Sequence, residues 1–287
     1  VTLNLTIINP WGIWQSSDLR LVDPATWKLV DDYSIKHVNF RCRDGDALLA
    51  YAGAGRVHEV DLSDWIRETL RGEIRTLNET FVALRENATR DLAPLLRPRG
   101  VLHMFSVGAF RNGQPWVAQI RNFAVEAGVP KAPALDRFET VTKVIDPPGQ
   151  GFIFGDLKAV PAPDRAKLFA LATRRPRHPS DYRGLLAAIN KRASATPSGR
   201  KTVSPHCVTS YLPPTGWPGE MGFHELDRPP VPLIVPTLLF GIDLTEMQRG
   251  FMKQAEAWRK TLQPPTGAFD QSAEEAIRPK NRLRRPK

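Results

Sequence analysis

Apolar and polar positions alternate from Leu3 to Ile8, the period of a half-buried strand. Asn9-Pro10-Trp11-Gly12 then turns the chain into a second strand, Ile13 to Ser17. The stretch from Leu29 to Phe40 holds a short strand carrying Ile35, Val38 and Phe40. Arg43-Asp44-Gly45-Asp46 is a hairpin turn, and Ala47 to Ala52 is the returning apolar strand. From Val57 to Leu70 the period becomes helical, with Val57, Val60, Trp65, Ile66 and Leu70 near one face and Gly72 as the stop. Thr76-Leu-Asn-Glu79 is a capping box that opens a helix running to about Asp91.

Strands return at Val101 to Phe110 and Pro115 to Phe123, around the hairpin turn Arg111-Asn112-Gly113. A further strand, Gly151 to Phe154, reaches Gly155-Asp156. Helices are expected over about Asp164 to Thr173 and Asp181 to Ala193, and a last strand over Val203 to Leu212, closed by Pro213-Pro214-Thr215-Gly216. Regular strand–helix–strand alternation is missing, which argues against a parallel doubly wound sheet. Two antiparallel sheets face to face, each covered by a helix pair, fit the order better. Beyond Trp217 the composition changes. Proline is dense at Pro218, Pro229, Pro230, Pro232 and Pro236, a helix runs from about Leu244 to Leu262 after Asp243, and the residues after about Gln263 read as disordered.

Composition narrows the class. With 287 residues, 41% hydrophobic and 24% charged, the chain can bury one large core with appendages. No apolar run approaches the ~18 residues of a membrane span. The start, VTLNLTIINPWG, reads as a strand rather than a secretory leader. Two cysteines, Cys42 and Cys207, make no disulfide framework, so a cytoplasmic location is expected. The net charge of +10 is uneven: six basic residues crowd the last ten, and a second cluster runs through Arg174, Arg175, Arg177, Arg183, Lys191, Arg192, Arg200 and Lys201. No aromatic residues interleave with either cluster. A solubilising tail and a solvated helix face therefore describe them better than a nucleic-acid surface.

Chemistry is suggested at the N-terminus. An internal threonine hydroxyl is a poor nucleophile, because nothing takes its proton. A threonine with a free α-amine carries its own base, with a pKa near 8. A nearby ammonium lowers that amine's pKa, and a carboxylate fixes the ammonium. The chain supplies Thr2, Asp18 sixteen residues on in Ser17-Asp18-Leu19-Arg20, Lys36 in SIKHV, and Gly53 in YAGAGR, where glycine lets a backbone N–H approach a substrate carbonyl.

These residues carry a family resemblance. From Thr2 to about Leu70 the chain resembles proteasome β-type subunits and their bacterial relatives, in the N-terminal-nucleophile hydrolase superfamily. There the nucleophilic threonine begins the first strand, and an aspartate follows sixteen residues on in a Ser/Thr-Asp-x-Arg-like motif. A lysine stands before an aliphatic residue, and an Ala-Gly, here Ala52-Gly53, gives the oxyanion hole. More weakly, Phe154-Gly155-Asp156 resembles a Gly-Ser-Gly segment near that site, with Asp156 in place of the serine. Ser198-Gly199 resembles a later Ser-Gly segment, with Ala195 where an aspartate is expected.

The resemblance implies an α+β, four-layer αββα sandwich over residues 2–216 with an extension over 217–287. It further implies threonine-type hydrolysis of a peptide or small amide, without cofactor or metal, and a homo-oligomer. Residue 1 is removed on this reading; Val1 fits a GTG start codon, where the cell places methionine and trims it before a small residue. The family register would put His37, directly before Val38, in the lysine's place. Lys36 is preferred because it carries a charge at neutral pH, and adjacent strand residues face opposite ways. The alternative is a non-catalytic structural or interaction protein of the same fold, as proteasome α-type subunits resemble. Elsewhere, His206 and Cys207 diverge on a strand, and His178, His206, Cys207 and His224 lack zinc-ligand spacing.

Overall fold

A computed structural model of the chain describes residues 2–23, 28–57, 60–126, 129–216, 219–226 and 233–262. They form an α+β structure around two sheets. The five-stranded sheet is built from β1 (Leu3–Asn9), β2 (Gly12–Asp18), β8 (Gln150–Gly155), β9 (Cys207–Leu212) and β10 (Glu220–His224), in the order β8-β1-β2-β9-β10. The seven-stranded sheet is built from β3 (His37–Cys42), β4 (Gly45–Ala52), β5 (Met104–Arg111), β6 (Gln114–Arg121), β7 (Glu139–Val144), β11 (Thr237–Leu239) and β12 (Ile242–Asp243). Its order is β7-β6-β5-β4-β3-β11-β12. All pairings are antiparallel except β11 on β3, where Thr237 lies opposite Asn39.

Apolar clusters on both faces of the sheets hold these elements together. α1 (Leu62–Leu70) and α2 (Leu77–Asp91) cover the seven-stranded sheet, with Ile66, Leu70, Phe81 and Leu84 packed on Val38, Leu49, Phe105 and Ile120; α3 (Ala93–Leu96) continues that cover. α4 (Ala162–Ala172) and α5 (Pro179–Ala195) cover the five-stranded sheet, with Leu168, Tyr182, Leu186 and Ile189 on Leu3, Leu5, Ile7 and Trp14. Period-2 alternation sends the other side chains of β1 and β2 towards the second sheet. There Ile8 and Ile13 meet Leu48, Phe110 and Val117.

Local signals set several boundaries. The Thr76 hydroxyl accepts from the Glu79 N–H at 3.2 Å, and the Glu79 carboxylate accepts from the Thr76 N–H at 2.7 Å, closing the capping box that starts α2. Asn112-Gly113 turns β5 into β6 within the expected Arg111-Asn112-Gly113 hairpin, with Arg111 the last residue of β5.

Other boundaries differ from the expectation. The helix read from Val57 begins only at Leu62, after a ribbon of Arg56–Val57 with Val60–Asp61. Arg56 and Asp61 form an ion pair at 2.9 Å across that ribbon, and Val60 is exposed, so the apolar positions of this stretch do not share one helical face. The stretch from Leu29 to Phe40 divides into Leu29–Asp31, paired with Leu21–Val22, and β3, leaving Ile35 between them. The strand expected from Val203 starts at Cys207, because α6 (Gly199–Thr202) and a hydrogen bond from the Ser204 N–H to Asp18 occupy the residues before it.

The chain does not leave the sheets at Gly216. β10, β11 and β12 extend them, and one compact unit spans Val1–Thr245. Buried Arg67 of α1 pairs with Asp243 at 3.0 Å, which fixes the point where α7 (Leu244–Leu262) starts. The second unit, Glu246–Lys287, contains the rest of α7, whose Met247, Phe251 and Trp258 recur at helical spacing. The tail after Gln263 lies outside the described residues. Among the described residues no helix is long and apolar enough to cross a membrane.

Two imidazoles lie in the interior. Burial pushes both His37 and His103 down to about 3, with an Asn39 contact opposing the shift at His37. Both are therefore neutral in the folded chain, and the unfolded chain binds their protons first as the pH falls below about 6.5. Linkage then gives stability that is full above about pH 6.5 and is lost towards about pH 3, with a slope of up to ~1.4 kcal/mol per pH unit for each imidazole. Urea unfolding across this range is expected to follow that slope, and His103→Gln to remove about one proton from it; a midpoint flat from pH 6.5 to 4 contradicts the assignment. Between the sheets, Phe110→Ala is expected to destabilise the chain by ~3–5 kcal/mol in the same assay, through lost burial and a cavity. A loss under ~1 kcal/mol would mean that the sheets do not pack there.

Candidate active site

Asp18 ends β2 directly beside the start of β1. Its Oδ2 accepts from the Leu3 N–H at 2.7 Å, and its Oδ1 from the N–H groups of Arg20 at 2.9 Å and Ser204 at 3.3 Å. The Lys36 ammonium reaches the same carboxylate, at 3.2 Å from Oδ1 and 3.4 Å from Oδ2, and also donates to the carbonyl of Arg20. Thr2, Asp18 and Lys36 are 2%, 0% and 1% exposed, so the ion pair is dry. Burial lowers the Lys36 pKa from its ordinary value, and the Asp18 carboxylate opposes the fall. Beyond it, the Arg20 guanidinium pairs with Asp32 at 2.7 Å.

Lys36 precedes β3 and His37 begins it. The lysine makes the contact with Asp18, while the imidazole of His37, neutral through burial, carries no charge at physiological pH. The register is tied to β4: the Tyr51 N–H donates to the Lys36 carbonyl at 3.3 Å and the Tyr51 hydroxyl to the Ile35 carbonyl at 3.2 Å.

Gly53 follows β4 with φ +121°, a conformation side chains rarely adopt, and a Cβ there would lie 2.6 Å from His103 Nδ1 and 2.7 Å from the Leu102 carbonyl. Gly53 belongs to the opposite sheet from Thr2 and is not hydrogen-bonded to Asp18 or Lys36. The turn is held from the next residue, since the Ala54 N–H donates to His103 Nδ1 at 3.1 Å, and the His103 N–H donates in turn to Asn122 Oδ1 at 2.7 Å. Leu102 and Met104, on either side of His103, pack with Phe154, the neighbour of Gly155 on β8. The glycine turn and the start of β1 thus border one apolar cluster.

The two segments for which only a weaker resemblance was noted, at the end of β8 and at the start of α6, close on this place. The Asp156 N–H donates to the Thr2 carbonyl at 3.0 Å, and a Cβ on Gly155 would lie 1.6 Å from that oxygen. Asp156 Oδ2 accepts from the hydroxyls of Ser198 and Thr202, each at 2.8 Å. Ala195 is exposed at the end of α5 and takes no part. The Gly155-Asp156 and Ser198-Gly199 segments meet, although 42 residues separate Asp156 from Ser198; only the shared Ser-Gly and Gly-x signatures could have hinted at it.

The other reactive residues stay apart from this cluster. Cys42 and Cys207 are buried free thiols; burial pushes Cys42 up to about 12 and raises Cys207 as well. His206 stacks on Tyr33 at 5.1 Å and bonds the Glu225 carbonyl. Among the described residues no three metal-binding side chains cluster. Part of the basic segment, Arg174, Arg175 and Arg177, lines a cavity of about 310 Å³ between α4 and α5 together with Lys167 and Tyr182.

No family model and no curated protein matches the chain by sequence. Solved structures match it by shape. An Anbu complex from Pseudomonas aeruginosa, solved as a helical assembly, superposes with a TM-score of 0.51 at 11% identity, over 93% of this chain and 100% of that one. Anbu from Yersinia bercovieri, described as an ancestral β-subunit, gives 0.53 at 13% identity, over 91% and 98%. These matches correct the resemblance to proteasome β-type subunits drawn from the first 70 residues. The Thr2–Asp18 spacing and Ala52-Gly53 describe only how the first strands begin, whereas the superposition covers nearly the whole chain. The chain shares the fold of Anbu proteins, a proteasome-related but distinct group.

Proposed function

We propose that the chain is an N-terminal-threonine hydrolase of amide bonds, with its two sheets and two helix covers stacked as a four-layer αββα sandwich. The observation that carries this reading is the dry Lys36–Asp18 pair, bonded through Asp18 to the Leu3 N–H beside Thr2. Removal of residue 1 frees the α-amine of Thr2. The neutral amine takes the proton of Thr2 Oγ, and the oxygen attacks the carbonyl carbon of a peptide or small amide. Charge on the carbonyl oxygen is met by the Gly53 N–H. The amine's proton passes to the leaving nitrogen, the C–N bond breaks, and an ester to Thr2 remains. Water, deprotonated by the same amine, hydrolyses that ester to a carboxylic acid and restores the threonine. Lys36 keeps the amine's pKa low and Asp18 keeps Lys36 in place. The assembly of the Pseudomonas Anbu complex supports a homo-oligomer here too.

Mutation separates these roles. Thr2→Ala is expected to lower hydrolysis of an amide substrate by at least ~10³-fold with unchanged circular dichroism, since only the nucleophile is lost. Thr2→Ser should keep part of the rate, and Lys36→Ala should lose ~10²-fold or more. Wild-type rates for Thr2→Ala would remove the nucleophile from this residue, and a fully active Lys36→Ala beside an inactive His37→Ala would move the cation's role to His37. A folded parent that begins at Thr2 and hydrolyses no amide would favour a non-catalytic interaction protein of the same fold.

A further inference from the structure

The basic segment read from the sequence divides in two in the folded chain. Arg183 pairs with Glu220 at 2.6 Å, Lys191 with Glu225 at 2.9 Å and Arg192 with Asp164 at 2.7 Å, the neutralised helix face expected of such a run. Arg174, Arg175 and Arg177 behave differently. They follow α4 and, with Lys167 of that helix, line the cavity of about 310 Å³. Among the described residues none of these four cations forms an ion pair. The acid at the same cavity, Asp181, accepts from the His178 N–H at 3.0 Å and so caps α5.

The walls of the cavity are held from the sheet. The Tyr182 hydroxyl reaches the carbonyls of Leu171 and Arg174 at 2.6 and 2.7 Å. Asn9 at the end of β1 donates to the Ala172 carbonyl at 3.1 Å, and the Trp14 indole of β2 donates to the Pro179 carbonyl at 3.0 Å. The turn that carries three arginines within four residues is therefore pinned at both of its ends. Leu171 and Leu185, both half-buried, give the lining an apolar part beside the charges. All four cations are exposed, so packing does not account for gathering them.

We infer that this cavity binds a small organic phosphate, its phosphate group on the arginines and Lys167 and its apolar part on Leu171 and Leu185. A guanidinium is planar, weakly hydrated and able to donate two parallel hydrogen bonds to one phosphate. The volume lies at the lower end of the range for small-molecule pockets, which suits a compact ligand. A single-stranded nucleic acid would stack its bases on exposed aromatic faces, and Tyr182, the aromatic residue of this lining, is buried. The site shares no residue with Thr2, Asp18, Lys36 or Gly53 and does not rest on the hydrolytic reading.

Calorimetric titration of the full chain with phenyl phosphate and with inorganic phosphate, at matched ionic strength, tests the assignment. Phenyl phosphate is expected to bind one site per chain, at least about threefold more tightly than inorganic phosphate, because its ring covers apolar surface. Arg175→Gln combined with Arg177→Gln should weaken it at least about tenfold. Arg97→Gln combined with Arg99→Gln, an equal loss of charge at exposed positions outside the cavity, should leave the affinity unchanged. Saturating phenyl phosphate should also raise the thermal midpoint of the parent by about 2 °C or more, a readout that needs no variant. Absence of saturable binding up to about 1 mM, or an equal loss in both double variants, overturns the site. Equal affinities for the two phosphates overturn the organic ligand, and displacement of phenyl phosphate by a single-stranded oligonucleotide at lower concentration assigns the surface to nucleic acid instead.

Discussion

The ion pair between Lys36 and Asp18 is the constraint on which the rest of the site depends. Two charges at 1% and 0% exposure have left water, and their attraction offsets that cost only if the remaining donors and acceptors are also met. Asp18 meets this with three backbone N–H groups from Leu3, Arg20 and Ser204, and Lys36 with the carbonyl of Arg20. The start of β1, the end of β2, the approach to β3 and the segment before β9 are therefore fixed against each other. Removing either charge would leave the other buried and unpaired, a loss of ~3–5 kcal/mol.

A second, half-buried carboxylate, that of Asp156, is held by the same short segment that reaches Asp18. Ser198 and Thr202 donate to Asp156, and the Ser204 N–H donates to Asp18. The chain from 198 to 204 thus ties β8 to β2 with Thr2 between them. Behind them, the cluster of Leu102, Met104 and Phe154 joins the Gly53 turn to the same place. Most of these residues stand just beyond the ends of strands and helices, and buried hydrogen bonds hold them in position.

Much of this was legible where the signal is local. The Thr76–Glu79 box, the Asn112-Gly113 turn and the alternation in β1 act within a few residues, and each element formed where they point. Thr2, Asp18 and Lys36 were readable because a hairpin and one further strand bring them together. Long-range contacts were not. Asp156 finds its hydroxyl partners across two helices, and Ala54 finds His103 49 residues away. Edge strands also escaped notice: β7, with Val141 and Val144 exposed, has one neighbour and no buried alternation to read. The prolines after Trp217 suggested a departure from the fold, yet Pro236 caps an approach to β11 and its carbonyl accepts from Asn39. Spacing in the first 70 residues also pointed to proteasome β-type subunits, whereas the superposition over nearly the whole chain is on Anbu proteins.

The central claim is that Thr2, freed of residue 1, is a nucleophile held by buried charge. Intact-mass spectrometry of protein from its native host, with and without a β-lactone that acylates N-terminal threonine, tests it most directly. A mass lacking residue 1 and a single adduct that peptide mapping places on Thr2 are expected. A chain that retains residue 1 in every molecule while hydrolysing amides, or an adduct on any other residue, would contradict it.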